Sequence, residues 1–133
     1  MNDKQTIRIL VLDDEPIVCK RLQPALEKKG YEVESFVRSE EALKRFIETP
    51  FDIVITDLKM KGLDGMQFLT EVKKISPSTK VIVITGFATM ETAKESFRQG
   101  VFDFLAKPFK LGEIIEGIEK AEMLIRENRG TPI

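Results

Sequence analysis

The chain has 133 residues, 42% of them hydrophobic and 32% charged, which suits one globular domain with its own core. Its formal net charge is −1, from 21 basic and 22 acidic residues, so no global field draws nucleic acid or membrane. A single cysteine, Cys19, and the lack of histidine exclude a disulfide framework, a Cys-based zinc site and any His-based triad.

The opening MNDKQT carries no apolar h-region, and the longest apolar runs fit one strand rather than the roughly 20 residues of a membrane span. The expectation is a cytoplasmic protein with neither membrane nor direct nucleic-acid contacts.

Strand and helix patterns alternate from end to end. Ile7 to Leu12 (IRILVL) is apolar and β-branched, as in a strand buried on both faces. Pro16 opens a helix whose apolar stripe is Val18, Leu22, Ala25 and Leu26, and Gly30 stops it. Pro24 should kink or break that helix, because it removes one backbone donor. Tyr31 to Phe36 is a second, weaker strand. Ser39 is the expected cap of a helix carrying Ala42, Leu43, Phe46 and Ile47. Phe51 to Thr56 is the third strand, and after the loop DLKMKGLDG, Asp64 caps a helix through Ile75. Lys80 to Thr85 is the fourth strand. Thr89 then caps a helix that Gly100 closes. Phe102 to Leu105 is a short fifth strand, and a last helix runs from about Lys110 to Asn128. Residues 127–133 read as a flexible tail or the start of a linker after a single domain.

Five βα units of this kind imply an α/β fold, a five-stranded parallel sheet doubly wound with five helices. The order 2-1-3-4-5 sets strands 1 and 3 side by side at the topological switch point, where ligands bind beyond the carboxyl ends. Strand 1 ends on Asp13 and Asp14, strand 3 on Asp57 and strand 4 on Thr85, and strand 5 leads into Lys107. Each residue taken alone has an ordinary structural reading: a helix-capping acid, a loop carboxylate, a strand-ending threonine, a solvated lysine. Their joint placement on one sheet edge points instead to chemistry.

Three carboxylates brought together repel one another unless a cation joins them. Magnesium prefers a few carboxylates, waters and phosphate oxygens. Asp14 and Asp57 would hold it directly, Asp13 directly or through water, and the backbone carbonyl of Lys59 would complete the protein's share. Phosphoryl transfer demands mainly position and charge compensation, and a carboxylate can be the nucleophile. Asp57 is placed for that role, with Lys107 neutralising phosphoryl oxygens and Thr85 donating a hydrogen bond to one of them.

These motifs are Asp13-Asp14, D-L-K-M-K-G-L-D-G, I-T-G and F-D-F-L-A-K-P-F. Together they resemble the receiver domain of two-component response regulators over roughly residues 5 to 127. The segment G-V-F-D-F-L-A-K-P-F is most similar to receivers of nitrogen-regulation-type transcriptional activators. The resemblance implies a flavodoxin-like fold and a signalling switch that catalyses only its own magnesium-dependent phosphorylation and dephosphorylation. It implies Asp57 as phosphoacceptor and Asp13 and Asp14 as the magnesium-binding pair. Thr85 would be the signalling hydroxyl, Lys107 the phosphate-contacting lysine and Phe104 the switch aromatic. It also implies a cis bond at Lys107-Pro108. The partners implied are a histidine kinase or phosphotransfer protein, and an effector domain or second copy on the fourth helix, fifth strand and fifth helix.

The chain also departs from the family pattern. Lys61 stands where proline is usual, and Phe104 lacks the hydroxyl of the commoner tyrosine. Lys59 and Phe87 occupy the positions that line the entrance, where Phe87 could screen water and Lys59 could pair with a carboxylate. Two rival readings fit less well. A phosphatase or phosphotransferase of the haloacid-dehalogenase type needs a second acid at position 59 and a cap domain. An FMN binder needs a Gly/Ser/Thr-rich loop where this chain has Asp13-Asp14-Glu15-Pro16.

Overall fold

Strands and helices alternate in the computed structural model, which describes residues 5–59 and 64–130. The order is β1 (Arg8–Leu12), α1 (Pro16–Lys28), β2 (Glu32–Phe36), α2 (Ser39–Glu48), β3 (Ile53–Thr56), α3 (Gly65–Ile75), β4 (Lys80–Thr85), α4 (Met90–Arg98), β5 (Asp103–Ala106) and α5 (Leu111–Asn128). The strands form one parallel sheet in the order β2-β1-β3-β4-β5, as the alternation predicts. Leu12 registers with Thr56, so the residues that follow β1 and β3 leave the sheet side by side.

The period of two along each strand divides the core between the faces. Ile9, Val11, Ile53, Ile55, Ile82 and Ile84 point to one face, where Leu22 and Leu26 of α1 and Ile114 and Ile118 of α5 cover them. Leu10, Leu12, Val54, Val81 and Val83 point to the other, against Phe46 of α2 and Phe68, Leu69 and Val72 of α3. In contrast, α4 buries only Ser96 and leaves Met90 and Phe97 exposed.

Helix ends follow local chemistry, with instructive exceptions. Asp64 and Thr89 each accept the backbone N–H three residues on and form capping boxes, as expected. Ser39, expected as a cap, is instead the first residue of α2, with Arg38 in the cap position. The Ser39 hydroxyl is buried without a hydrogen-bond partner among the described residues. Glu40 and Glu41 complement the helix dipole in that first turn. α1 also runs through Pro24 unbroken. Pro24 and Lys20 both lie on the exposed side, where water can reach the carbonyl that lost its donor.

The last described residues make contacts with the rest of the domain. α5 continues through Asn128, Arg126 is buried and donates to Gln5 O at 3.1 Å, and Arg129 pairs with Asp52. Residues 131–133, and Met60 and Lys61 of the third loop, lie outside the described residues.

Candidate functional site

Three loops at the carboxyl edge of the sheet build the site. Asp13 leaves β1 and donates its N–H to Phe36 O at 3.1 Å, while its own Oδ1 accepts the N–H of Glu15 at 2.9 Å. Asp57 leaves β3 with its N–H on Leu12 O at 3.1 Å, which ties the two acidic loops together. Its Oδ1 accepts the N–H groups of Leu58 (2.6 Å) and Lys59 (3.3 Å). The loop then returns as α3, and Gly65 makes that return possible. A Cβ on Gly65 would lie 1.9 Å from Asp57 O, so only glycine allows the approach.

Lys107 leaves β5 with its N–H on Thr85 O at 2.8 Å. The peptide bond to Pro108 is cis, as the resemblance implies. The ammonium crosses the sheet edge to the acids. Nζ lies 2.8 Å from Asp57 Oδ2, 2.7 Å from Asp13 Oδ2 and 2.6 Å from Glu15 Oε1. Burial by itself lowers the Lys107 pKa, but the carboxylates of Asp13, Asp57 and Glu15 around it outweigh that and raise the pKa, so the ammonium stays charged. Burial raises the pKa of Asp13, a trend that Lys107 only partly opposes.

One carboxylate oxygen from each of Asp13, Asp14 and Asp57 falls within 4.8 Å of the others. Asp13 and Asp57 are buried, whereas Asp14 reaches solvent. Asp13 Oδ2 is close to Lys107 but off hydrogen-bonding alignment, so it is a buried acceptor without a donor. A hard, all-oxygen donor set with one orphaned carboxylate oxygen fits a hard divalent cation.

Thr85 is buried at the end of β4, and its Oγ1 accepts the N–H of Phe87 at 3.0 Å. Phe104 on β5 is half-buried against the cluster on the α2 and α3 face. The Lys59 ammonium sits 5.6 Å over the Phe87 ring and makes no carboxylate pair among the described residues. Cys19 Sγ packs behind Asp13, 3.7 Å from its carbonyl oxygen, and burial pushes its thiol pKa up, as for an unreactive core cysteine.

Asp13, Asp14, Asp57, Lys59, Thr85, Phe104 and Lys107, the site residues expected from the sequence, therefore lie at this sheet edge or in the elements beside it. Two contributors were not singled out: Glu15, the third acid on Lys107, and Gly65. Each had a signal, since Glu15 adjoins the acidic pair and Gly65 ends the D-L-K-M-K-G-L-D-G motif.

Acids converging with a lysine at the switch point of a 2-1-3-4-5 sheet define a flavodoxin-like α/β domain with a cation-competent edge. The chain belongs to the response regulator receiver domain family, whose family model matches residues 9–119. It is 36% identical over 121 residues to the transcriptional regulatory protein ZraR of Salmonella typhimurium, an alignment covering 91% of this chain and 27% of that protein. The chain thus spans about a quarter of the length of the curated relatives it matches. Among solved structures, NtrX from Brucella abortus superposes with a TM-score of 0.86 at 31% identity, covering 95% of this chain and 29% of that chain. A response regulator from Burkholderia pseudomallei, whose crystal holds a phosphorylated aspartic acid, a calcium ion and citrate, superposes with a TM-score of 0.79 at 26% identity, covering 96% of this chain and 76% of that one. The chain is a receiver domain of two-component signalling regulators, of the nitrogen-regulation type that G-V-F-D-F-L-A-K-P-F indicated.

Proposed function

We propose that Asp57 is the phosphoacceptor of this receiver. The observation that carries the reading is the three-way contact of Lys107 Nζ with Asp57, Asp13 and Glu15 beside the acidic cluster. It sets a nucleophilic carboxylate next to a fixed cation and a site suited to another.

In the reaction, a carboxylate oxygen of Asp57 attacks the phosphorus of a phosphohistidine. The O–P bond forms as the P–N bond breaks, and the bonding pair leaves with the imidazole. Attack of water on the acyl phosphate later returns the carboxylate and inorganic phosphate. The chain catalyses both steps on itself and no other substrate. Asp14 and Asp57 would hold magnesium directly and Asp13 directly or through water, with the Lys59 carbonyl completing the set. When bound, magnesium supplies positive charge to the phosphoryl oxygens. Lys107 follows Asp57 and steadies the phosphoryl group, and the N–H groups of Leu58 and Lys59 orient the carboxylate. Thr85 gives its hydroxyl to a phosphoryl oxygen, and Phe104 repacks in response.

A histidine kinase or phosphotransfer protein is the donor. The output is an effector domain or a second copy on α4, β5 and α5. The shallow seating of α4, with exposed Met90 and Phe97, supports that face as the one that changes. The described residues are read as one domain. A cytoplasmic setting suits this donor, and no helix among the described residues is long and apolar enough to cross a membrane. The test is a spectrum of backbone amides with magnesium and beryllofluoride. The reading expects shifts around Asp57, Thr85 and Lys107 that Asp57→Asn abolishes, and unchanged wild-type spectra would overturn it.

A further inference from the structure

The resting hydroxyl of Thr85 leads directly to α4. Its Oγ1 accepts the N–H of Phe87 at 3.0 Å. On the other side of the same residue, Phe87 O is the nearer acceptor of the Thr92 hydroxyl, at 2.8 Å against 3.1 Å for Thr89 O. Thr92 Oγ1 also accepts the N–H of Thr89 at 2.9 Å, and Thr89 Oγ1 accepts the N–H of Thr92 at 3.0 Å, so Thr92 is half of the box that starts α4. From β3, the Lys59 ammonium lies over the Phe87 ring, which holds the residue from a second loop although it is 56% exposed.

We propose that Phe87 is a positioning residue that carries the movement of Thr85 to α4 through the Thr92 hydroxyl. The proposal rests on the reading of Asp57 as acceptor. A phosphoryl group on Asp57 draws the Thr85 hydroxyl toward it. The Phe87 N–H then loses its acceptor, and the backbone of residue 87 turns. Its carbonyl leaves Thr92, and the cap of α4 loosens. α4 is well suited to respond, because it buries only Ser96. Lys59 stabilises the resting arrangement, since its contact with the ring breaks when residue 87 turns.

The test is an NMR titration with magnesium and beryllofluoride on the wild type, Thr92→Val, Thr92→Ser and Asp57→Asn. In the wild type, saturation should speed exchange of the Phe87 amide hydrogen about two- to tenfold, the worth of one ordinary hydrogen bond. Thr92→Val, which keeps the shape and loses the hydroxyl, should retain shifts at Thr85 and lose more than half of those from Met90 to Arg98. Thr92→Ser should restore them. Unchanged Phe87 exchange, or full α4 shifts in Thr92→Val, would overturn the relay. The exchange measurement needs no variant, so it stands even where Thr92→Val frays the cap. Shifts that survive in Asp57→Asn would instead count against Asp57 as the acceptor.

Discussion

Lys107 and Asp57 are 50 residues apart in the chain, yet Lys107 Nζ lies 2.8 Å from Asp57 Oδ2. The sheet makes this contact by setting β3 beside β4 and β4 beside β5, so that the loops leaving β3 and β5 face one another. The same ammonium reaches Asp13 and Glu15, and it is the main positive charge in an acidic pocket.

Lys107→Met should therefore leave buried carboxylates without their cation. Without magnesium at neutral pH, the variant should lose about 1–3 kcal/mol of folding stability, since stranding a buried charge removes more than the pair itself contributes. Urea unfolding measures this, and added magnesium should recover part of the loss. A variant as stable as the wild type would show that the acids do not depend on Lys107.

Asp13→Asn should act in the opposite direction. Burial raises the pKa of this carboxyl, so its charged form opposes folding, and one of its oxygens lacks a donor. The metal-free variant should melt a few degrees above the wild type. Its magnesium affinity should fall by at least about tenfold, because a neutral amide replaces a charged ligand. Thermal melts with and without magnesium check both halves.

Gly65→Ala should disturb Asp57 from the opposite side. The added Cβ would lie 1.9 Å from Asp57 O and 2.5 Å from Leu58 Cα, both backbone atoms that no rotamer change can move. A loss of about 2–3 kcal/mol or more is expected, together with weaker beryllofluoride binding. Urea midpoints and fluoride titration read the two effects.

The parts visible in the sequence were those that obey short-range rules. Alternating βα patterns, strand-end acids and the caps at Asp64 and Thr89 all depend on a few neighbouring residues. Packing decided the rest. The Ser39 hydroxyl turns inward instead of capping, and Ile47, spaced like a core residue, lies on the exposed side of α2. Pro24 is tolerated because its face of α1 meets water. Lys59 meets an aromatic ring rather than a carboxylate, a contact between two loops that only the assembled sheet brings together. Glu15 has no legible role in the sequence, because a loop glutamate shows its role only once Lys107 arrives across the edge.

Away from the site, Glu34 offers a test of pH dependence. Arg45 grips its carboxylate with Nε at 2.8 Å and Nη2 at 3.0 Å. These bonds, opposed by burial and aided by Arg8, hold the Glu34 carboxyl below its usual value of 4.5. A carboxyl whose pKa falls on folding adds stability above its unfolded pKa and loses it as pH drops through the folded one. Glu34→Gln should thus be less stable than the wild type at neutral pH, by under about 1 kcal/mol because water screens the pair. The gap should close as the pH falls below 4.5. Unfolding curves at neutral and acid pH decide it.

The most direct test of the account is to find where the phosphoryl group attaches. The protein is incubated with magnesium and acetyl phosphate, reduced with borohydride to convert any aspartyl phosphate to homoserine, digested and sequenced by mass spectrometry. The account predicts homoserine at position 57 alone, and none in Asp57→Asn. Homoserine at another aspartate, or none in the wild type, would contradict it.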